Sequence, residues 1–360
     1  MLSALQEPAR TVGLTARQWN DLLRSAGEYG LLARLAARLE QTGHFAQAPY
    51  KARTRLRAAS IAAESTHTAV GFEINRVVRA LRGIDVPVIL LKGSAYVMAR
   101  LPVACGRFVG DVDLMVPLER IDEVERTLVA AGWNASDMED YDQRYYREWM
   151  HEVPPLQHPE RDTPVDLHHT IAPRTSRVRP DAAALVSESV ALDTVPLRVL
   201  SPPDMVLHSA VHLFNDEVGA PLRDLCDLHD LLGHFGAQPG FWDALLARAR
   251  LHGMERPLYY MLRETRRVLG TSIPPEVERA VAAFAPGPVV HWLMDRLFAC
   301  RFACDPPGKP RVGRGGAIWL LYVRAHWLRM PPLMLARHLT IKAARRLRDA
   351  LERKPSETKG

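Results

Sequence analysis

Hydrophobic periodicity changes twice along this chain of 360 residues, and the two changes bound its fold closely. Up to residue 84, apolar residues return every third or fourth position: Leu22, Leu23 and Ala26, then Leu31, Leu32, Leu35, Ala36 and Leu39. The stretch from Tyr50 to Leu81 then runs on with few breakers. That spacing predicts amphipathic helices serving as a platform. At Gly83-Ile84-Asp85 the pattern turns over: Gly83 is a helix stop, and the β-rich run from Val86 to Leu91 follows. From 86 to 170 strand and helix signals alternate. A helix is predicted over 118–131 from Ile121, Val124, Leu128 and Val129, with Gly132 ending it. Strands are predicted over 133–137 and 145–153, joined by the polar segment 139–144, and again over 164–169. A short helix and an extended pair fill 178–200. Ser201-Pro202-Pro203-Asp204 then opens a helix, and the rest reads as helical, with breaks at 236–240, 271–275, 286–288 and 305–316. The expectation is an α+β protein: a small mixed β-sheet core over 85–200, an N-terminal helical segment over 1–84, and a large C-terminal helical region over 201–355.

Composition supports a packed protein, since 47% of residues are hydrophobic. Cys105, Cys226, Cys300 and Cys304 form no CxxC pair and are too few for a disulfide scaffold, so a reducing compartment and a cytoplasmic location are expected. The first residues lack the basic start and apolar run of a signal peptide, and the apolar stretch 317–323 is far too short for a membrane span. Net charge is +6, with basic residues gathered after Arg301: Arg311, Arg314, Arg324, Arg329, Arg337, Lys342, Arg345, Arg346 and Arg348. A solvated helix face is the expected use of that charge, with peripheral contact to a membrane surface the lesser option. Trp319, Tyr322 and Trp327 read as an apolar seam against the core.

Chemistry concentrates in Gly110-Asp111-Val112-Asp113-Leu114-Met115-Val116. Apolar residues at 112, 114 and 116 alternate with Asp111, Asp113 and Met115, so a strand here aims both carboxylates to one side, where they could share a divalent cation. Upstream, Lys92-Gly93-Ser94 ends an apolar run and precedes a helix expected from about Ala95. Backbone N–H groups at a helix start receive phosphate oxygens, and glycine allows close approach. Downstream, Val165-Asp166-Leu167-His168 repeats the alternation and puts His168 on the face of Asp166.

These residues together resemble the nucleotidyltransferase superfamily with a minimal polymerase-β-like core. More narrowly, Leu90-Leu91-Lys92-Gly93, Arg107, Asp111-Val112-Asp113-Leu114, Val165-Asp166-Leu167-His168 and Leu222-Arg223-Asp224-Leu225 to Asp227 resemble the uncharacterised bacterial nucleotidyltransferase group with an LKG start. The resemblance implies that 85–200 is the catalytic core, that Asp111, Asp113 and Asp166 bind Mg²⁺ (two ions), and that Gly93 and Ser94 meet the triphosphate of an NTP such as ATP. It also implies that Asp166 takes the proton of the attacking hydroxyl. Lys92 and Arg107 would neutralise phosphate charge, and His168 would accept a proton or touch phosphate. Arg223, Asp224 and Asp227 would border the nucleotide. Ser94 and Asp111 lie further apart than in compact minimal enzymes, so the geometry depends on how 100–109 folds.

The reaction expected is transfer of a nucleoside monophosphate to an acceptor with release of pyrophosphate. The acceptor stays open among a peptide or protein, a small metabolite and a sugar phosphate. Nucleic acid is a minor option because no base-reading motif occurs. Acceptor selectivity is expected from 141–149 and the helical C-terminal half. Two rivals stand beside this reading. One is a module on the same fold that binds a nucleotide or partner without turnover. The other is a metal phosphohydrolase built on His208, His212 and His229-Asp230, against which two packed amphipathic helices are the simpler account.

Overall fold

A computed structural model describes residues 1–135, 149–215, 219–305, 311–332 and 335. The helical platform is α1 (Leu2–Gln6), α2 (Ala16–Glu28), α3 (Leu32–Gln41) and the long α4 (Tyr50–Ala80). Thr15 and Gln18 form a reciprocal capping box at the start of α2, satisfying donors that a bare helix end leaves open. Helix α4 ends where the sequence predicts: Leu81 is its C-cap and Gly83 takes φ +100°.

The sheet contains β1 (Ile89–Leu90), β2 (Val112–Met115), β3 (Asn134–Ala135), β4 (Leu156–Gln157), β5 (Val165–His168), β6 (Val190–Ala191) and β7 (Arg198–Val199). Its order is β3-β4-β5-β2-β1-β7-β6. Strand β2 runs parallel to β5 and antiparallel to β1, and β1 runs parallel to β7, so the sheet is mixed. The α+β architecture read from the sequence is therefore the one observed, with shorter strands. Of 86–91 only Ile89 and Leu90 pair, since Pro87 brings no N–H and the chain turns into α5 (Lys92–Met98) directly after Leu91. That helix begins three residues before the expected Ala95. Of the strands expected at 133–137 and 145–153, residues 133–135 and 149–153 are described, and 149–153 forms no strand; 136–137, 145–148 and the joining segment 139–144 lie outside the described residues. Asn134–Ala135 is extended, and Glu152 bridges His168.

Helix α6 (Ile121–Ala130) follows β2, and α7 (Ala182–Ser187) precedes β6. The C-terminal region comprises α8 (Pro202–Asn215), α9 (Pro221–Phe235), α10 (Phe241–Leu251), α11 (Glu255–Leu269), α12 (Pro275–Ala282), α13 (Pro288–Arg301) and α14 (Arg314–Arg329). One hydrophobic cluster runs from Ala4 through the sheet residues Leu90, Leu114 and Leu167 to Leu321 on α14. The sheet is thus braced by helices from both ends of the chain. Among the described residues no helix is long and apolar enough to cross a membrane.

Candidate active site

Parallel pairing of β2 with β5 sets Asp113 directly opposite Asp166. Side chains alternate along a strand, so Asp111, two residues before Asp113, turns to the same face. Carboxylate oxygens of Asp111, Asp113 and Asp166 lie within 4.8 Å of one another. Asp113 is buried, Asp166 half-buried, and Asp111 the most open of the three.

The segment 100–109, on which this convergence depends, is pinned from three sides. From α4, His67 Nε2 lies 2.6 Å from the carbonyl of Arg107, and Thr66 Oγ1 accepts the N–H of Val109. Gly106 has φ +68° and lies so close to the backbone of α3 that a Cβ would come 2.4 Å from the Ala33 carbonyl oxygen. Arg107 Nε donates to Asp227 Oδ2 on α9 at 2.7 Å. The longer connection is therefore a fixed strut that delivers Asp111 to the sheet.

Lys92 leaves β1 with φ +45°, a left-handed conformation uncommon for a residue with a Cβ. The turn carries its ammonium back over β2, where Nζ donates to Asp113 Oδ1 at 2.9 Å. His168 Nε2 lies 3.0 Å from the same oxygen, and its Nδ1 stands 3.3 Å from Glu152 Oε2. Burial alone would raise the proton affinity of Asp113, but Lys92 and His168 overcome it and hold the carboxyl well below the usual range. Asp166 receives less help: burial, then the charge of Asp113, pushes it up to about 7 against a smaller opposing pull from His168. Asp111 is raised for the same two reasons. Lys92 is burdened by burial but raised on balance by Asp113.

Two oxygens at this centre, Asp113 Oδ2 and Asp166 Oδ1, are buried without a hydrogen-bond partner. Buried acceptors are normally satisfied, so orphaned carboxylate oxygens facing a crowd of negative charge mark a place for a cation. An all-oxygen donor set from three carboxylates fits Mg²⁺ or Mn²⁺.

The other residues singled out in the sequence are placed as follows. Gly93 is buried, and a Cβ there would come 2.3 Å from Arg107 Nη1 and 2.9 Å from Val109 Cγ1. Glycine is thus required by packing before any question of phosphate approach. Ser94 is fully buried, and its hydroxyl donates to the Leu91 carbonyl at 2.8 Å rather than facing a ligand. Arg107 spends its Nε on Asp227 and lies over the Tyr96 ring, which makes it chiefly the tie between site and α9. Arg223 pairs with Asp224 and is near enough to favour the charged form of Asp111.

His151 and Glu152 carried no sequence signal, yet they join His168 in a second group of three ligand-bearing side chains within 4.8 Å. The His151 and His168 rings lie 5.1 Å apart. Burial, then the charge of His168, pulls His151 well below the ordinary imidazole range. The bulk of the segment 141–149 lies outside the described residues. The histidines of the phosphohydrolase reading do not converge: His229 Nδ1 pairs with Thr271 Oγ1 at 2.8 Å, while Asp230 is held by Arg34 and Arg38. Neither is in a candidate metal group among the described residues.

Adjacent acidic strands beside a strand-to-helix Lys-Gly-Ser turn are the framework of an enzyme that moves nucleotidyl groups. Residues 15–270 match the family model described as uncharacterised nucleotidyltransferase, and the chain belongs to that family. It is a transferase of that class. No curated protein matches the sequence. Among solved structures, that of the antibiotic-resistance factor ANT(2'')-Ia is similar, with 18% identity and a TM-score of 0.34 over 55% of this chain and 99% of that one.

Proposed function

We propose that the protein transfers a nucleoside monophosphate from a nucleoside triphosphate to an acceptor hydroxyl or phosphate, with Mg²⁺ as cofactor and pyrophosphate as leaving group. The observation that carries this reading is the trio Asp111, Asp113 and Asp166, with two buried carboxylate oxygens left unpaired. These three residues would hold the metal, two ions by the resemblance. When bound, Mg²⁺ neutralises phosphate charge and lowers the cost of bringing a nucleophile to the α-phosphorus.

The chain's own residues divide the remaining work. Asp113, kept ionised by Lys92 and His168, is the fixed negative anchor of the site. Asp166, directly opposite Asp113 on β5, is the carboxylate that would take the proton of the attacking hydroxyl, the role the resemblance implies for it. Lys92 already sits on Asp113 and is within reach of any phosphate bound there, so triphosphate entry would let it exchange one anionic partner for another. Gly93 lets the Lys92 turn pack against Arg107, and the Leu91 N–H just before α5 donates to the Asp113 carbonyl, which keeps the helix start beside that strand. His168 orients Asp113, and Arg223 lends positive charge at the rim.

The test is calorimetric titration of the protein with ATP and Mg²⁺, followed by transfer of label from α-labelled NTP across peptide, metabolite and sugar-phosphate acceptors. Label transfer and pyrophosphate release that vanish in Asp111→Asn are expected. Tight ATP binding with no pyrophosphate release under any acceptor would assign the protein to nucleotide binding without turnover.

A further inference from the structure

The net positive charge and the exposed apolar side chains of this chain fall in overlapping stretches of its sequence. Residues 301–360 carry fourteen Lys and Arg against four Asp and Glu, whereas the preceding 300 residues carry 33 against 37. Of the nineteen large hydrophobic side chains exposed among the described residues, ten fall between 289 and 327. The expectation that Trp319 and Trp327 seal against the core is thus overturned: they are 62% and 45% exposed.

On α14 Trp319, Val323 and Trp327 follow at intervals of four and form one row. On the neighbouring α13 Val289, Trp292 and Leu293 form a second. Scattered exposed leucines need no explanation, but a two-helix face of this composition does. It is firmly held. The opposite side of α14 buries Ala317, Leu321, Ala325 and His326, and Arg324 donates to the Phe214 carbonyl. Arg314 pairs with Asp305 at 2.5 Å, and Thr175 Oγ1 donates to the Arg329 carbonyl at 2.6 Å. Guanidinium groups lie over two of the exposed indoles, Arg177 at 4.8 Å from Trp327 and Arg296 at 5.2 Å from Trp292.

We propose that the α13–α14 face docks on an anionic phospholipid bilayer. Its indoles and aliphatic side chains would enter the headgroup boundary, and Arg177 and Arg296, which lie over two of those indoles, would meet lipid phosphates. Tryptophan is favoured at that boundary because the ring is apolar while its N–H still finds a partner, and basic residues add attraction to anionic lipid. Charge complementarity decides against the other occupants. A second copy on a two-fold axis would bring two strongly basic segments together. A nucleic acid would engage the charge but leave the indoles in water.

The experiment is co-sedimentation of the full chain with vesicles of phosphatidylcholine alone and of equimolar phosphatidylcholine and phosphatidylglycerol. Partition onto the mixed vesicles is expected to exceed that onto neutral ones by about tenfold or more, and to fall at high salt. The double variant Trp319→Ser/Trp327→Ser should lose about tenfold in partition with its melting temperature unchanged, since both side chains are solvent-facing. In the unaltered protein, brominated lipid should quench tryptophan emission, a readout independent of any variant. Equal partition onto both vesicles, unchanged partition of the double variant, or absence of quenching would overturn the proposal. So would light scattering that shows a dimer which the double variant dissolves, because the face would then belong to a second copy.

Discussion

Where α3 meets α9, three guanidiniums and two carboxylates are matched atom for atom, whereas at β2 and β5 three carboxylates crowd together around one lysine and one histidine. In the first cluster Asp227 gives one oxygen to Arg34 and the other to Arg107, and Asp230 gives one to Arg34 and the other to Arg38. In the second, Asp113 Oδ1 takes both Lys92 and His168, while Asp113 Oδ2 and Asp166 Oδ1 take nothing. Both clusters are largely buried, so exposure does not tell them apart. Satisfaction does: a network that closes on itself holds the fold, and one that leaves acceptors open and negative charge in excess is built to receive something. Arg107 touches both, bonding Asp227 while favouring the ionised form of Asp111, and so couples the seating of α9 to the site.

Substitution separates the two most sharply. Asp113→Ala should reduce nucleotidyl transfer by about a thousandfold or more, roughly 4 kcal/mol of transition-state stabilisation, in a label-transfer assay. Asp166→Asn should also abolish most transfer without lowering the melting temperature of the metal-free protein, because it relieves crowded negative charge, whereas Asp113→Ala also strands Lys92 and His168 and should cost some stability. Asp227→Ala should behave in the opposite way to Asp166→Asn. It strands Arg107 and removes half of the Arg34 pairing in the interior, so chemical denaturation should show a loss of about 3–5 kcal/mol. If Asp166→Asn unfolds the protein and Asp227→Ala does not, the contrast between the clusters is wrong.

The acidic cluster was legible in sequence and the matched one was not, for a physical reason. Strand alternation places Asp111 and Asp113 on one face from local information alone, and Asp166 repeats the pattern one strand away. The Arg34–Asp227 pair joins residues 193 apart, one on a helix that reads only as platform. No local period reports that two helix faces will meet. Arg107 and Ser94 illustrate a related limit: residue type and spacing suggested ligand contacts, while three-dimensional packing commits them to Asp227 and to the Leu91 carbonyl. Helix breaks were readable at Gly83, Gly132 and Pro288, where backbone chemistry is local, but the break at 252–254 between α10 and α11 was missed. Glu152 and His151 escaped notice because they sit beside His168 only once β5 is paired.

A ligand sharpens the comparison next. Mg²⁺ with a nonhydrolysable triphosphate should raise the unfolding free energy by about 2.7 kcal/mol when present at a hundred times its dissociation constant, seen as a higher melting temperature. Asp113→Asn should lose that increment, and chelator should reverse it. A conservative change in the matched cluster, Asp230→Asn, should keep the increment while starting from a lower baseline. An equal rise in the unaltered protein and in Asp113→Asn would mean that the ligand binds elsewhere.

The smallest expected effect comes from a third buried carboxylate, which tests whether satisfaction rather than location sets the outcome. Asp204, at the start of α8, accepts from Ser201 Oγ at 2.7 Å and from Arg248 at 2.6 and 2.8 Å, with His252 Nε2 3.2 Å away. The Asp181 N–H donates to His252 Nδ1, so the His252 hydrogen lies on Nε2 and points at Asp204. Burial works against ionisation here, but the His252, Arg248 and Ser201 contacts outweigh it and lower the proton affinity of Asp204 below its ordinary value. In the unfolded chain the carboxyl takes its proton at about pH 3.9, and in the folded protein only at lower pH. Its contribution is therefore complete above the unfolded value and is lost as pH falls through the folded one. Urea unfolding followed downward from neutral pH should show a decline in stability that is shallower in Asp204→Asn. The same decline in both proteins would remove Asp204 from the closed networks, leaving the Arg34–Asp227–Arg107 cluster to define that class alone.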